Sequence, residues 1–353
     1  MQAQERHMKF LFIAPRFHNN QYYWVKSLTD HNHEVRFWVW RKEPLENYSA
    51  LTPSLIPRSS FGLPKILSCY REMKALDPDI VVVRDPRSFL FVFVSMLIAR
   101  MQKRKVFIYS QTPLYQTMSW VKKITVRLML RFFGSLWITP IIGDMRYPKF
   151  HPRAFYVPFA IEPQAQEKSP VRRPIRIISV GKIYQERKNH LLLLEAFYDS
   201  LKKSDIRLTI IGALSGNSPE YFNKMRVYIK KYDLEQTVEI KTNLEHNEVL
   251  REYAKHDLFV LPSSNEPLAY SPLEAMGAGL PVICSDTNGF RWYVKDGENG
   301  YIFKSEDVSD LKDKVSLAIP RLQEMSKNSL NSVKQFYTPK SFYEKFMEAV
   351  QSV

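Results

Sequence analysis

Two glutamates stand eight positions apart in the most informative stretch of the sequence, residues 257–283, DLFVLPSSNEPLAYSPLEAMGAGLPVI. Glu266 falls in a loop after a predicted buried strand, and Glu274 falls in the first turn of a predicted helix. Ligands of open α/β sheets bind at such strand ends, so both carboxylates could face one crevice. A purely local interpretation of Glu274 stays open. Ser271 to Glu274 reads as a capping box, with Ser271 at N-cap, proline at N1 and Glu274 at N3.

Segments on both sides of the glutamates extend the pattern. They are Val180-Gly181-Lys182-Ile183, Arg187-Lys188-Asn189, Leu192 to Phe197, Thr209 to Gly212, Ala275 to Val282 and Asp296 to Gly300. With the Glu-x7-Glu spacing of Glu266 and Glu274, the chain resembles glycosyltransferase family 4. The resemblance covers residues 175–303 well and the first half of the chain only loosely. It implies a retaining transferase that uses a nucleotide-sugar donor.

The resemblance implies a role for each matched residue. Glu274 would bind the donor ribose hydroxyls, Glu266 the hydroxyls of the transferred sugar, and Lys182 and Lys188 the diphosphate. Fixed cations suit this chemistry, because the leaving diphosphate gains negative charge in the transition state. The alternative for the two lysines is an ordinary surface position in a basic protein. Further donor contacts are expected from Gly181, Gly212 and the amides of a helix-opening loop with Leu268, Ala269 and Tyr270.

The first half departs from the family pattern in two places. Where many relatives have a glycine-rich turn, this chain has residues 15–21, PRFHNNQ, in which Arg16, His18 or Asn20 is expected to contact phosphate or acceptor. Where the family often places a histidine, it has Gln111, which cannot act as a general base. We therefore expect front-face attack, with the donor phosphate taking the acceptor proton and Gln111 as a positioned polar group. His18 is the alternative base, or a local hydrogen-bonding residue.

Short β-branched or aromatic runs alternate with amphipathic stretches along the whole chain, which predicts parallel sheets covered by helices. The predicted strands are 9–14, 34–40, 80–84, 105–110, 137–140, 175–180, 206–211, 237–241, 258–261 and 281–284. The expected fold is GT-B, with two doubly wound Rossmann-like domains facing each other across a cleft. Residues 1–160 would bind the acceptor and 174–336 the nucleotide sugar, while 337–353 would form a helix packing back toward the first domain. The proline-rich stretch 158–174 is the predicted linker.

Composition limits the partners and the compartment. The formal charge of +15 favours anionic partners. Cys69 and Cys284 lack the spacing of a zinc site, and the single Asp-x-Asp, Asp77-Pro78-Asp79, reads as a turn, so no metal or other cofactor is expected. No apolar run is long enough to cross a bilayer, and the polar start does not resemble a secretory signal. A cytoplasmic protein is predicted, and no sequence motif indicates nucleic-acid binding.

The stretch Trp120 to Phe133, WVKKITVRLMLRFF, could attach the protein to a membrane. It places Lys123, Arg127 and Arg131 on one helical stripe beside Trp120, Ile124, Leu128 and Phe132. This mixture is typical of an interfacial helix on the inner face of the cell membrane, near a lipid-linked acceptor. The alternative is a helix packed on the first domain with its basic residues in water.

The sequence thus predicts a hexosyltransferase that acts on a cell-envelope polysaccharide, a lipopolysaccharide intermediate or another lipid-linked acceptor. Two alternatives remain open. A nucleotide-sugar epimerase on the same fold would release an altered donor without an acceptor, and a catalytically silent scaffold would bind a partner and turn nothing over.

Overall fold

A computed structural model describes residues 6–43, 48–59, 63–85, 90–164, 171–214 and 219–352 of the chain. The chain forms two compact units. Unit 1 consists of Met1–Ala160 and Pro339–Val353, and unit 2 of Ile161–Thr338. Of the predicted linker, residues 165–170 lie outside the described part.

Unit 1 contains a parallel sheet of seven strands with the order β3-β2-β1-β4-β5-β6-β7. The strands are β1 (Lys9–Ala14), β2 (Glu34–Val39), β3 (Ser54–Leu55), β4 (Ile80–Arg84), β5 (Lys105–Tyr109), β6 (Leu136–Thr139) and β7 (Ala154–Tyr156). The helices between them are α1 (Asn19–Asp30), α2 (Ile66–Leu76), α3 (Leu90–Met101) and α4 (Trp120–Phe133). The central strands are buried on both faces, as their continuous apolar sequences require.

Unit 2 contains a parallel sheet of six strands with the order β10-β9-β8-β11-β12-β13. The strands are β8 (Ile175–Val180), β9 (Ile206–Gly212), β10 (Val238–Thr242), β11 (Leu258–Leu261), β12 (Val282–Ser285) and β13 (Gly300–Phe303). The helices are α5 (His190–Ala196), α6 (Tyr198–Lys202), α7 (Pro219–Lys231), α8 (His246–Ala254), α9 (Ser271–Gly277), α10 (Val308–Ala318) and α11 (Leu322–Phe336). Apolar residues of β8, β9 and β11 share one core with α5 and α10.

The last helix, α12 (Pro339–Gln351), belongs to unit 1 and packs on α1. The indole of Trp24 stacks on the ring of Phe342 with centroids 5.1 Å apart. The hydroxyl of Ser27 donates to the carbonyl of Pro339 at 2.9 Å. These contacts make residues near the far end of the sequence part of the unit 1 core.

The ten strands expected from the sequence are confirmed, with ends that shift by at most one residue. The strands β3, β7 and β13, which are two, three and four residues long, were not predicted. The turn interpretation of Asp77 and Asp79 agrees with their contacts. Asp77 ends α2 in a left-handed conformation, and the carboxylate of Asp79 accepts a hydrogen bond from the amide of Lys9 at 2.8 Å.

Candidate active site

The strand order of unit 2 reverses between β8 and β11, which are neighbours in the sheet. From β8 the chain continues outward to β9 and β10, whereas from β11 it continues to β12 and β13 on the other side. Ligands of doubly wound sheets bind at such a switch point, outside the carboxyl ends of the strands. The loops that follow β8 and β11 there carry Lys182, Lys188 and Glu266.

Glu266 lies between two cations. The Nζ of Lys188 is 2.6 Å from Oε2 of Glu266, and the guanidinium of Arg187 donates to the same oxygen. The side chains of Lys188 and Glu266 are only 9% and 11% exposed. Burial alone would raise the pKa of Glu266, but the two cations outweigh it and lower the pKa. Glu266 is therefore an ionised carboxylate with a fixed orientation.

Positive charge exceeds negative charge around this carboxylate. Burial lowers the pKa of Lys188, and the charges of Arg187 and Lys182 lower it further, while Glu266 acts in the opposite direction. Burial, and next the charge of Lys188, lower the pKa of the neighbouring His190 to about 3, so this imidazole is neutral. Two cations thus contact the carboxylate of Glu266, and Lys182 is close enough to act on Lys188. An added anion would relieve the mutual repulsion of these three cations.

Main-chain hydrogen bonds join the loop after β11 to the loop after β8 and to the turn after β12. The amide of Ser264 donates to the carbonyl of Arg187 at 2.9 Å, and the amide of Gly289 donates to the carbonyl of Glu266 at 2.8 Å. Asn189, in a left-handed conformation with φ 54°, ends the single 3₁₀ turn that carries Arg187 and Lys188. The charged side chains therefore project from backbone that is fixed at both loops.

Gly181 and Gly212 allow the end of β9 to approach the residue after β8 closely. A Cβ atom on Gly212 would lie 1.8 Å from the carbonyl oxygen of Gly181, a distance that no side chain tolerates. A Cβ atom on Gly181 would lie 3.2 Å from Cδ of Lys188. Gly212 therefore serves the packing of the two strand ends, whereas Gly181 borders the stem of the buried lysine.

Glu274 is buried in α9 and has two side-chain partners. The Nε2 of His246 lies 2.6 Å from Oε1 of Glu274, and the hydroxyl of Tyr253 donates to Oε2 at 3.2 Å. Burial, and next the charge of Glu274, raise the pKa of Tyr253 well above its usual value, so this phenol remains a donor. No sequence signal singled out His246 and Tyr253, because they lie 28 and 21 residues before Glu274.

The capping-box interpretation of Ser271 and Glu274 is wrong. The N-cap of α9 is Tyr270, and the hydroxyl of Ser271 donates to the carbonyl of Val180 at 3.0 Å. Ser271 thus ties the start of α9 to the end of β8. In the preceding loop the side chains of Leu268 and Ala269 are buried, which leaves their main chain as the part able to contact a ligand.

The predicted site residues of unit 1 lie at the carboxyl ends of its strands. The Nε of Arg16 donates to Nε2 of His18 at 3.0 Å, and a guanidinium nitrogen of Arg16 lies 3.7 Å from a carboxylate oxygen of Glu43. Gln111 is half-buried in the loop after β5. Because Nε2 of His18 already accepts a hydrogen bond from Arg16, that nitrogen would have to release it before taking a proton.

Residues 161–331 match the family model described as glycosyl transferases group 1. This region is similar to that family over just under half of the chain. It contains β8 to β13 and both glutamates of the candidate site. Such a match indicates a glycosyltransferase, which is the class of enzyme expected from the sequence.

Curated relatives carry names of the same class. The GtfA subunit of the UDP-N-acetylglucosamine–peptide N-acetylglucosaminyltransferase of Streptococcus pneumoniae is 22% identical over 59% of this chain and 42% of its own length. The lipopolysaccharide core biosynthesis mannosyltransferase LpsB of Rhizobium meliloti is 35% identical over 24% of this chain and 26% of its own length. The chain thus covers less than half of each of these two relatives.

Solved structures confirm the GT-B fold. HepE of Anabaena, in complex with UDP-glucose, superposes with a TM-score of 0.75 at 14% identity over 98% of this chain and 100% of its own. A glycosyltransferase of Rickettsia africae gives a TM-score of 0.74 at 15% identity over 97% of both chains. Within the described ranges, no helix has the length and apolar character needed to cross a bilayer.

Proposed function

We propose that the protein is a hexosyltransferase of glycosyltransferase family 4, which transfers a sugar from a nucleotide-sugar donor with retention of configuration. The observation that carries this proposal is the largely buried side chain of Glu266 between Lys188 and Arg187. It lies at the switch point of the region that matches the glycosyl transferases group 1 model. The excess positive charge there suits a diphosphate, and solved structures of the same fold include complexes with UDP and UDP-glucose.

The proposed reaction uses these groups in distinct ways. Lys182 and Lys188 hold the diphosphate and stabilise the charge that grows on it as the glycosidic bond breaks. Glu266 accepts hydrogen bonds from hydroxyls of the transferred sugar, and Glu274 accepts those of the ribose. The departing phosphate takes the acceptor proton, with Gln111 as a positioned polar group. The scheme requires no metal ion.

We further propose that the acceptor is a lipid-linked or cell-envelope glycan reached at the inner face of the cell membrane. Relatives with lipopolysaccharide biosynthesis in their names support this class of acceptor. In unit 1, α4 buries Val126, Leu130 and Phe133 but exposes Trp120 by 73% and Leu128 by 61%. Its basic residues Lys123, Arg127 and Arg131 are exposed as well.

The outer face of α4, defined by Trp120, Ile124, Leu128 and Phe132 with these three basic residues, has the composition of an interfacial helix. Its test is co-sedimentation with phosphatidylglycerol vesicles. Leu128→Glu should abolish binding, and Val227→Glu, at a similarly exposed position on α7, should not. Equal binding by both variants would contradict the membrane contact.

The donor site is tested by thermal unfolding across a panel of nucleotide sugars. A ligand at one hundred times its Kd stabilises the folded state by about 2.7 kcal/mol. Glu274→Gln should weaken this stabilisation, whereas Glu266→Gln should mainly slow transfer to an acceptor. Lys230→Gln, at an exposed position of α7, is the control. Absence of stabilisation by every donor would favour a silent scaffold, and release of an isomerised donor without acceptor would favour an epimerase.

A further inference from the structure

A cavity of about 720 Å³ opens in unit 1 where α3 and α4 end. It is lined by the basic side chains of Arg100, Lys103, Arg104 and Lys105 and by apolar side chains that include Met101 and Phe132. Because β5 begins at Lys105, the cavity lies at the amino edge of the sheet. Arg16 and Gln111 lie at the opposite, carboxyl edge, so the cavity is separate from the predicted acceptor residues of this unit.

Capping of the helix ends does not account for the basic side chains. At the end of α3, the amides of Lys103 and Arg104 donate to the carbonyls of Arg100 and Ala99 at 2.9 and 2.8 Å. At the end of α4, the amide of Ser135 donates to a last-turn carbonyl at 3.0 Å. Main-chain groups therefore already satisfy carbonyls that lysine and arginine side chains often cap.

The net charge of the cavity favours an anion. Asp77 pairs with Arg104, which removes one positive charge from the balance. The ends of α3 and α4 together contribute about one negative charge. Arg100 and Lys103 are exposed and together carry two positive charges. These two charges exceed the negative charge of the helix ends even when Lys105 is not counted. The guanidinium carbon of Arg100 lies 4.6 Å from the centre of the Phe132 ring, which orders this cation at the boundary between α3 and α4.

The apolar wall of the cavity continues onto the outer face of α4. Phe132 belongs to both surfaces, and Met101 beside it is 71% exposed. A ligand that fits this combination carries an anionic head and an apolar tail. We propose that the cavity binds the phosphate headgroup of an anionic phospholipid whose acyl chains lie along the outer face of α4. This inference rests on the proposed membrane contact and is independent of the sugar transferred.

The test compares two kinds of anionic vesicle with equal surface potential. Phosphatidylcholine vesicles carry either phosphatidylglycerol or oleate, so that the added charge is a phosphodiester or a carboxylate. The wild-type protein should prefer phosphatidylglycerol by about tenfold, the factor expected if the cavity makes one more charge-assisted hydrogen bond to the phosphodiester than to the carboxylate. Arg100→Gln with Lys103→Asn should remove this preference. Asparagine suits position 103 because its φ is 56°.

Lys123→Gln with Arg127→Gln is the matched control, since it removes two charges from the outer face of α4 but not from the cavity. It should weaken binding to both kinds of vesicle and keep the preference. The same preference in the cavity variant and the control would overturn the proposal, as would absence of any preference in the wild-type protein. Release of the protein by millimolar inorganic phosphate would assign the cavity to a free anion instead.

Two further measurements separate this inference from the proposed transferase. Circular dichroism shows whether each variant folds, and Lys103→Asn alone, at an exposed position, replaces the double variant if that one unfolds. Thermal stabilisation by the donor should be unchanged in all of them, because the altered residues lie in unit 1. Loss of the lipid preference in the cavity variant, with normal donor binding, supports the proposal that the cavity binds the phosphate headgroup. Normal lipid preference in a protein that binds no donor would refute the transferase and leave the lipid site standing.

Discussion

Replacing Lys188 and Glu266 singly and together separates their contribution to stability from their contribution to donor binding. In Lys188→Met the carboxylate of Glu266 keeps Arg187 as its ion-pair partner and loses Lys188. Stranding a buried charge costs roughly 3–5 kcal/mol, and the remaining ionic hydrogen bond reduces this to about 2–3 kcal/mol. Glu266→Gln leaves a buried ammonium beside two other cations, so we expect its cost at the upper end, about 3–4 kcal/mol.

The double variant removes both buried charges and should recover most of the stability, to within about 1 kcal/mol of wild type. Hydrogen exchange of the β8 amides measures this free energy of unfolding for unit 2 even if the units unfold separately. Donor binding, followed by calorimetry, should stay lost in the double variant because the lysine that would hold the diphosphate is absent.

Two outcomes would refute this reasoning. Additive losses in the double variant would show that the two charges do not stabilise each other. Recovered donor affinity would show that Lys188 does not bind the donor. The exposed pair Arg321 and Glu324, also in unit 2, is the control and should show no resolvable coupling in the same cycle.

Three further outcomes are expected. The pKa of Glu266 is lowered from its ordinary 4.5, so its ion pairing stabilises the folded state fully above pH 4.5, and this stabilisation is lost as the pH falls through the lowered pKa. The difference in free energy of unfolding between wild type and Glu266→Gln, measured by urea unfolding, should therefore shrink in acid. A difference that stays constant with pH would contradict this. Gly212→Ala should lower the free energy of unfolding by about 1–3 kcal/mol or more through steric overlap, while Gly181→Ala should mainly weaken donor binding by displacing the neighbouring lysine stem. Thermal unfolding measures the first effect and calorimetry of donor binding the second. Equal effects of the two variants in both assays would refute the distinction. His246→Ala should raise the donor Kd about tenfold, because the ribose-binding carboxylate loses a partner; a wild-type Kd would refute that role.

The fold was predictable because local sequence patterns identify most of the strands. Runs such as Ile80–Arg84 are long, β-branched and bounded by turn residues, and burial on both faces follows from their composition. The strand β3 has two exposed residues, and no local pattern distinguishes it from a loop. It forms because Trp38 and Val39 of β2 offer a free edge beside it.

The candidate site was predictable only in part, since its partners are distant in sequence. The motif pointed to Lys188 and Glu266, but their direct contact joins residues 78 positions apart. Residues Ser271 to Glu274 match the sequence pattern of a capping box. The hydroxyl of Ser271 instead donates a hydrogen bond to the carbonyl of Val180, 91 residues away. A local pattern predicts the local partner, and here tertiary packing supplied a different one.

For α4 the sequence left two interpretations open, and the structure shows that they are compatible. Val126 and Leu130 pack inside unit 1, whereas Trp120 and Leu128 face outward with the basic residues. A helix with 3.6 residues per turn presents both surfaces at once.

The position of α12 has a consequence for the order in which the molecule is made. Unit 1 is built from two segments, and α12 leaves the ribosome only after all of unit 2. At about 5–20 residues per second, translation of the intervening segment takes roughly 10–35 s. During this delay Trp24 on α1 lacks the ring of Phe342, and His33 lacks the hydroxyl of Tyr343, which lies 2.9 Å from its Nε2 in the finished protein. Unit 2, as a continuous segment, can complete its core first, so the nascent protein should mature from the middle of its sequence outward.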